Sequence, residues 1–317
     1  MSELAIHRDG AERMGFFTDT TTCIGCKACE VACKQWNDLP SDPDPYQRGG
    51  AYDFTGSLSA STWRHVRFVE PATHDDVDLV AAAERPVNDF GDWVFMSDVC
   101  KHCTNAGCLD ACPTGALIRT EFGTVVIQPD VCNGCGYCVP ACPFGVVDRD
   151  HDDGRAAKCT LCYDRLEDGL EPACAKACPT DSIQFGPREE LVETARKRVT
   201  TLHERGRTTA YLYGAGDAPE DQLAGGLGAF FLLTEPPERY GLPAHADSPI
   251  QENVPPATLA GVGAGAAALA AVAAALLAAH RRASAHGRVV PSAVKRRGRS
   301  AAAAAVGAGL RGRGWRR

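Results

Sequence analysis

The chain has 317 residues, of which 44% are hydrophobic and only 7% aromatic, and a formal net charge of −7. That length admits about two domains, and so few aromatic residues predict that the cysteine-rich half has no large apolar core of the usual kind. The charge is divided: 22 basic residues face 40 acidic ones up to Ala279, whereas His280–Arg317 carries 11 basic residues and no acid. Those bases flank an apolar stretch rather than a folded face, which argues against nucleic acid as a partner.

Residues 1–15 read as a loose arm. The opening MSELAIHRDGAERMGFF lacks a basic start followed by an apolar run, so it does not read as a secretory signal. The expectation is a cytoplasmic protein, or one exported with a partner that carries the signal. Phe16–Thr22 is predicted as a short strand and Ala28–Trp36 as a helix. Pro40, Pro43, Pro45 and the Gly49–Gly50 pair mark a loop. Trp63–Glu70 alternates like a strand, and Trp93–Met96 leads into the second cysteine group. Ala116–Arg119 and Thr124–Gln128, joined through Gly123, form a predicted hairpin. Ser182–Phe185 is a short strand. Pro187–Arg205 is a predicted amphipathic helix with early acids, late Arg196, Lys197 and Arg198, and Gly206 beyond its end. Residues 207–255 hold the strand-like Thr208–Tyr213 and the apolar Gly226–Leu233, and are expected to wrap the preceding domain.

Ala257–Ala279 is 23 residues without a charge. As a helix it covers roughly 34 Å, enough for a hydrocarbon core of about 30 Å. Gly261 and Gly265 form a small-residue step suited to helix packing. The bland alternative is a low-complexity alanine linker, of the kind the Ala301–Ala305 run also makes. The flanks favour the span: Asp247 and Glu252 precede it, while Arg281, Arg282, Arg288 and Lys295–Arg297 follow. By the positive-inside rule the tail 281–317, which looks disordered, is then cytoplasmic and the body lies outside; a cytoplasmic body is the alternative.

The sixteen cysteines fall in four groups of four with none left over: Cys23, Cys26, Cys29, Cys33; Cys100, Cys103, Cys108, Cys112; Cys132, Cys135, Cys138, Cys142; and Cys159, Cys162, Cys174, Cys178. The spacing C-x2-C-x2-C-x3-C, kept in groups one and three and widened at the middle gap in groups two and four, is that of bacterial ferredoxin 4Fe–4S sites, where three cysteines hold one cluster and the fourth ligates its neighbour. Pro113, Pro143 and Pro179 follow the fourth cysteine in three groups; group one has Lys34 there. A disulfide framework belongs to short secreted proteins. Structural zinc uses two CxxC pairs at longer separation, so a third close cysteine is superfluous. Buried cysteine without metal is common, but not four times in this register. The groups therefore predict ligands for four clusters and a protein that carries electrons. Groups two and three flank the hairpin directly, which leaves groups one and four to pair. The expected fold is α+β: two nested ferredoxin-like units and a single C-terminal transmembrane helix over 256–280. The four-cluster domain spans 16–186, its inner unit about 93–148, its outer unit 16–36 and 155–186, with 187–255 as helix and linker. Lys27, Lys34, Lys101, Lys158 and Lys176 lie beside the cysteines and are candidates for raising cluster potentials, or are solvated or paired with acids. The nine histidines follow no ligand spacing.

The stretches TTCIGCKACEVACKQWNDLP (21–40), CKHCTNAGCLDACPTGAL (100–117), CNGCGYCVPACPFG (132–145) and KCTLCYDRLEDGLEPACAKACPTDSIQFG (158–186) resemble the iron–sulfur (beta) subunit of membrane-bound formate dehydrogenase. The similarity runs on through ERYGLP (238–243) to the final apolar stretch. The cysteine motifs alone are shared with the beta subunits of other molybdoenzyme reductases and some hydrogenases; CKQWNDLP and the final membrane helix favour formate dehydrogenase. The resemblance implies four sites: Cys23, Cys26, Cys29 and Cys178; Cys33, Cys159, Cys162 and Cys174; Cys100, Cys103, Cys108 and Cys142; and Cys112, Cys132, Cys135 and Cys138. It implies no catalytic residue in this protein. It further implies a molybdenum or tungsten catalytic alpha subunit that oxidises formate, a membrane cytochrome b gamma subunit that passes electrons to quinone, and export beside a twin-arginine partner. The group one and four pair is expected to face the alpha subunit, and the group two and three pair the membrane. The alternatives are the same wire serving another reductase or a membrane hydrogenase, and, from a different class, a zinc-stapled membrane scaffold without redox function.

Overall fold

The computed structural model describes residues 12–41, 53, 55–69, 93–216 and 223–286. Most of the expected N-terminal arm and the basic tail beyond 286 lie outside these residues. The chain divides into two units, Met1–Ala257 and Thr258–Arg317.

The first unit opens with β1 (Met14–Asp19) and α1 (Ala28–Trp36). A two-stranded pair follows, β2 (Arg64–Val69) with β3 (Val94–Val99), antiparallel and in register from Arg64 opposite Val99 to Val69 opposite Val94. Next come the one-turn α2 (Gly107–Asp110), the hairpin β4 (Leu117–Arg119) and β5 (Val125–Ile127), and the small pair β6 (Asp148–Arg149) and β7 (Ala156–Ala157). Two short helices, α3 (Tyr163–Glu167) and α4 (Ala173–Lys176), precede β8 (Ile183–Pro187) and the long α5 (Arg188–Glu204). Strands β9 (Tyr211–Tyr213) and β10 (Ala229–Leu233) are the last two before the apolar helix.

Four of these strands form one sheet in the order β8-β1-β10-β9. β10 runs parallel to β1, pairing Phe17 with Phe230, and β8 runs antiparallel on the other side of β1. Every residue of β10 is buried, so Gly226–Leu233 does not wrap the domain: it supplies an interior strand. Successive strand residues face opposite sides of a sheet, and Phe16 and Phe17 use this to divide the molecule. Phe17 stacks on Phe230 with ring centroids 5.4 Å apart, in a core closed by Val192, Ala195 and Leu202 of α5. Phe16 enters a second core that contains Cys29, Cys100, Cys159 and Cys174. Burying a side chain such as Phe230 contributes about 1.5–3 kcal/mol. The sheet thus stands on an ordinary apolar core and holds the cysteine region on its other face.

Helix α5 follows its sequence signals: Glu189 and Glu190 occupy its first turn, His203 its last, and Gly206 stands just beyond at φ +85°. Beyond the sheet, α6 (Pro249–His286) is longer at both ends than the predicted 256–280. It continues through Pro255 and Pro256, whose missing N–H groups cost two bonds of the ladder near its start. The helix over Pro249–Ser284 is long enough, and contains an 18-residue window apolar enough (mean hydropathy 2.2), to cross a membrane.

Candidate metal centres

The four CxxC loops share one backbone turn. In each, the residue just before the second cysteine has a positive φ: Gly25 at 67°, His102 at 44°, Gly134 at 71° and Leu161 at 60°. Two are glycines, which adopt this conformation at no steric cost. The other two bear a Cβ and carry strain of about 1–2 kcal/mol each. Such strain persists where the surroundings over-determine it, and that happens at functional sites. The turn curls each loop; in the fourth, the Leu161 N–H donates to Cys159 Sγ at 3.3 Å.

All sixteen thiols are free. Cys23, Cys26, Cys29 and Cys178 line one cavity. Cys100, Cys103, Cys108 and Cys142 line another. Cys33 and Cys159 each lie close enough to Cys162 and Cys174 for their charges to interact, and Cys159 interacts with Cys33 as well. Cys138 interacts in the same way with Cys132, Cys112 and Cys135. Helix α1, which carries Cys29 and Cys33, packs against α4, which carries Cys174. The structure therefore brings the first loop together with the fourth group, and the second with the third.

The sites also have neighbours. Cys29 of the first interacts with Cys174 of the second, Cys159 of the second with Cys100 of the third, and Cys108 of the third with Cys138 of the fourth. Exposure follows the same order. Cys26 in the first site and Cys135 in the fourth are the two exposed cysteines, while Cys33, Cys159, Cys162 and Cys174 are all buried.

Burial, joined by the neighbouring Cys174 thiol, pushes Cys33 up to about 12. Burial likewise pushes Cys23 up to about 11, and Cys159 well above its ordinary value. Such thiols are protonated at neutral pH, so a metal must displace their protons to bind. Four thiols around one small apolar-walled space fit a 4Fe–4S cluster, which takes four thiolates.

The lysines beside the cysteines separate into two kinds. Lys27 pairs with Glu30 at 3.3 Å and Asp53 at 3.5 Å, Lys34 donates to the Pro40 carbonyl at 3.0 Å, and Lys176 pairs with Glu171 at 3.4 Å. Lys101 and Lys158 are buried. Lys101 pairs with Asp98, and Lys158 donates to the Val125 and Cys159 carbonyls. Sequence reasoning missed Arg64 and Ser97. Both are buried, Ser97 Oγ lies 3.2 Å from Cys29 Sγ, and Arg64 Nη1 donates to Ser97 Oγ at 2.9 Å. In the alternating β2 sequence Arg64 reads as a solvent-facing position, and nothing local distinguishes it.

Asp110 of α2 ties the third site to the foot of α6. It accepts from Ser248 Oγ at 2.9 Å and from Gln251 Nε2 at 3.0 Å. A Cβ on Gly107 would lie 2.4 Å from the Ala141 carbonyl and 3.2 Å from Pro249, so only glycine allows this close approach.

Two matches to families described as "4Fe-4S dicluster domain" cover residues 22–116 and 91–188. The sequence is 42% identical over 240 residues to the formate dehydrogenase iron–sulfur subunit of Haemophilus influenzae, covering 74% of this protein and 70% of the relative. It is 40% identical to the iron–sulfur subunit of the nitrate-inducible formate dehydrogenase of Escherichia coli, covering 74% of each. A subunit of the anaerobic dimethyl sulfoxide reductase of Escherichia coli is 36% identical over 177 residues, 56% of this protein and 75% of the relative. The fold is thus that of two dicluster ferredoxin-like domains with one C-terminal apolar helix, and the formate dehydrogenase relatives are electron-transfer rather than catalytic subunits. With two-fifths identity across most of both sequences, this protein belongs to the family of formate dehydrogenase iron–sulfur subunits.

Proposed function

We propose that this protein holds four 4Fe–4S clusters in a row and conducts electrons from a molybdenum or tungsten catalytic subunit, which oxidises formate, to a cytochrome b subunit and quinone in the membrane. The proposed ligand sets are Cys23, Cys26, Cys29 and Cys178; Cys33, Cys159, Cys162 and Cys174; Cys100, Cys103, Cys108 and Cys142; and Cys112, Cys132, Cys135 and Cys138. One observation carries the reading: each site neighbours the next, and exposed thiols occur at the two ends alone. A wire needs that pattern, insulated in the middle and open where partners dock.

When bound, the clusters supply one-electron redox chemistry. The protein's own residues hold them, space them, exclude water and set the charge around them. Beside Cys26 at the first end, Ile24 is 58% exposed, an apolar side chain suited to the core of a subunit interface. At the other end, the attachment of Ser248 and Gln251 to Asp110 supports an exit toward the membrane. The charge flanks of α6 support a cluster unit outside the cytoplasm with the basic tail inside. Formate is favoured over other substrates because the formate dehydrogenase relatives match over 240 residues and the dimethyl sulfoxide reductase subunit over 177.

The test is the purified complex of this protein with its catalytic partner. Formate-dependent reduction of viologen, with the visible cluster absorption bleaching in step, is the expected result. A complex inert to formate but active with another substrate would overturn the formate assignment and leave the wire.

A further inference from the structure

Arg64 opens β2 and is wholly buried. Its Nη1 donates to Ser97 Oγ at 2.9 Å and to the Ser97 carbonyl at 3.3 Å. The guanidinium lies 4.7 Å from the centre of the Phe16 ring. Its Nε and Nη2 have no hydrogen-bond acceptor, and it forms no ion pair with a carboxylate among the described residues. A guanidinium stays charged inside proteins. A buried charge with unmet donors is strongly unfavourable unless something negative lies beside it.

What surrounds Arg64 is thiol. Its charge acts on Cys33, Cys159, Cys162 and Cys174, all four cysteines of the second site, and on Cys29 of the first. Thiolates around a cluster are the negative charge the guanidinium lacks. A fixed cation favours whichever redox state carries more negative charge, which is the reduced one. Charge and hydrogen bonds to sulfur are among the levers that set cluster potentials.

We propose that Arg64 is a positioning residue for the second cluster site: its built-in counter-ion, whose charge raises the potential of that site above what so buried a position would otherwise have. The inference rests on the four-cluster reading. It also explains how an all-thiol site with no exposed cysteine can be reduced between two neighbours that already hold negative charge. Lysine would keep the charge but not the planar fork that holds Ser97.

The experiment is an EPR-monitored redox titration of the full-length protein, with Arg64→Gln and Arg64→Lys beside the parent and Cys33→Ser identifying the second site's signal. In Arg64→Gln the reduced-to-oxidised ratio of that site at fixed potential is expected to fall at least tenfold, a shift of about 59 mV for one electron. The other three sites shift less, and Arg64→Lys gives a smaller fall at the same site. An unchanged second site, or equal shifts at all four, would overturn the inference. If Arg64→Gln does not assemble, Arg64→Lys decides by the same criterion. Loss of every cluster in both variants would mark Arg64 as a folding residue and overturn it too. A parent protein without iron would instead sink the four-cluster reading.

Discussion

Asp19 couples the first cysteine loop to α5, and breaking that link has a calculable cost. Asp19 ends β1 four residues before Cys23, and its side chain is 4% exposed. Oδ2 accepts from Arg198 Nε at 2.8 Å, and Oδ1 accepts from the Thr21 N–H at 2.9 Å and the Thr21 hydroxyl at 2.6 Å. Arg198 Nη2 closes the ring by donating to Thr21 Oγ1 at 3.0 Å. Hydrogen bonds to charged groups contribute about 1.5–3 kcal/mol each. Arg198 is 29% exposed and can recover water when its partner is removed, which limits the penalty. Asp19→Ala is therefore expected to destabilise the unit by about 2–4 kcal/mol, and Arg198→Ala, which leaves the buried carboxylate without its cation, by at least as much. The double variant should fall short of the sum by about 1–2 kcal/mol, the coupling of residues in one network. Anaerobic guanidinium unfolding followed by circular dichroism supplies the four corners of this cycle. A chelator challenge read by visible absorbance should show Asp19→Ala losing the first site before the others. Additive single losses, or bleaching at the parental rate, would refute the coupling.

Cys33→Ser should perturb the EPR signal of the site with Cys159, Cys162 and Cys174 while that of Cys23 persists; the reverse would break the crossed pairing. Gly134→Ala combines a positive φ of 71° with a Cβ placed 2.7 Å from the Gly154 carbonyl, whereas Gly115→Ala, at 70°, meets nothing within 4 Å. The second change should cost about 1–2 kcal/mol of backbone strain, the first clearly more and with selective loss of the fourth site, as iron content and EPR will show. Phe230→Ala should destabilise by about 3–5 kcal/mol in thermal melts without altering relative cluster potentials, because its ring lies on the α5 side of the sheet. Truncation after Ala257 should move the protein from the membrane to the soluble fraction with its iron intact, measured by fractionation and iron assay.

Local signals were legible where the sequence's own chemistry decides the outcome. Ala28–Trp36 is a helix over the predicted range, and the hairpin through Gly123 and the helix after Pro187 formed within a residue or two of expectation. The cysteine register likewise points to which residues converge, because four thiols at that spacing have few other uses. Long-range pairing was not legible. The apolar run around Phe230 announces burial, but nothing in it names β1, more than two hundred residues earlier, as its parallel neighbour. Periodicity reports a buried face and is silent on what covers it. The expected bounds of α6 followed the uncharged run Ala257–Ala279, yet the helix begins at Pro249 and runs through Pro255 and Pro256. Arg64 escaped because an arginine in an alternating strand reads as exposed, and its burial follows from how β2 packs toward Phe16.

The central claim is that sixteen thiols hold four clusters, and iron and acid-labile sulfide per polypeptide test it most directly. Anaerobically purified protein should contain about sixteen irons and as many sulfides, with broad visible absorption that dithionite bleaches and an EPR signal in the reduced state. A colourless protein with stoichiometric zinc, or one whose iron stops at a single pair of clusters, would contradict it.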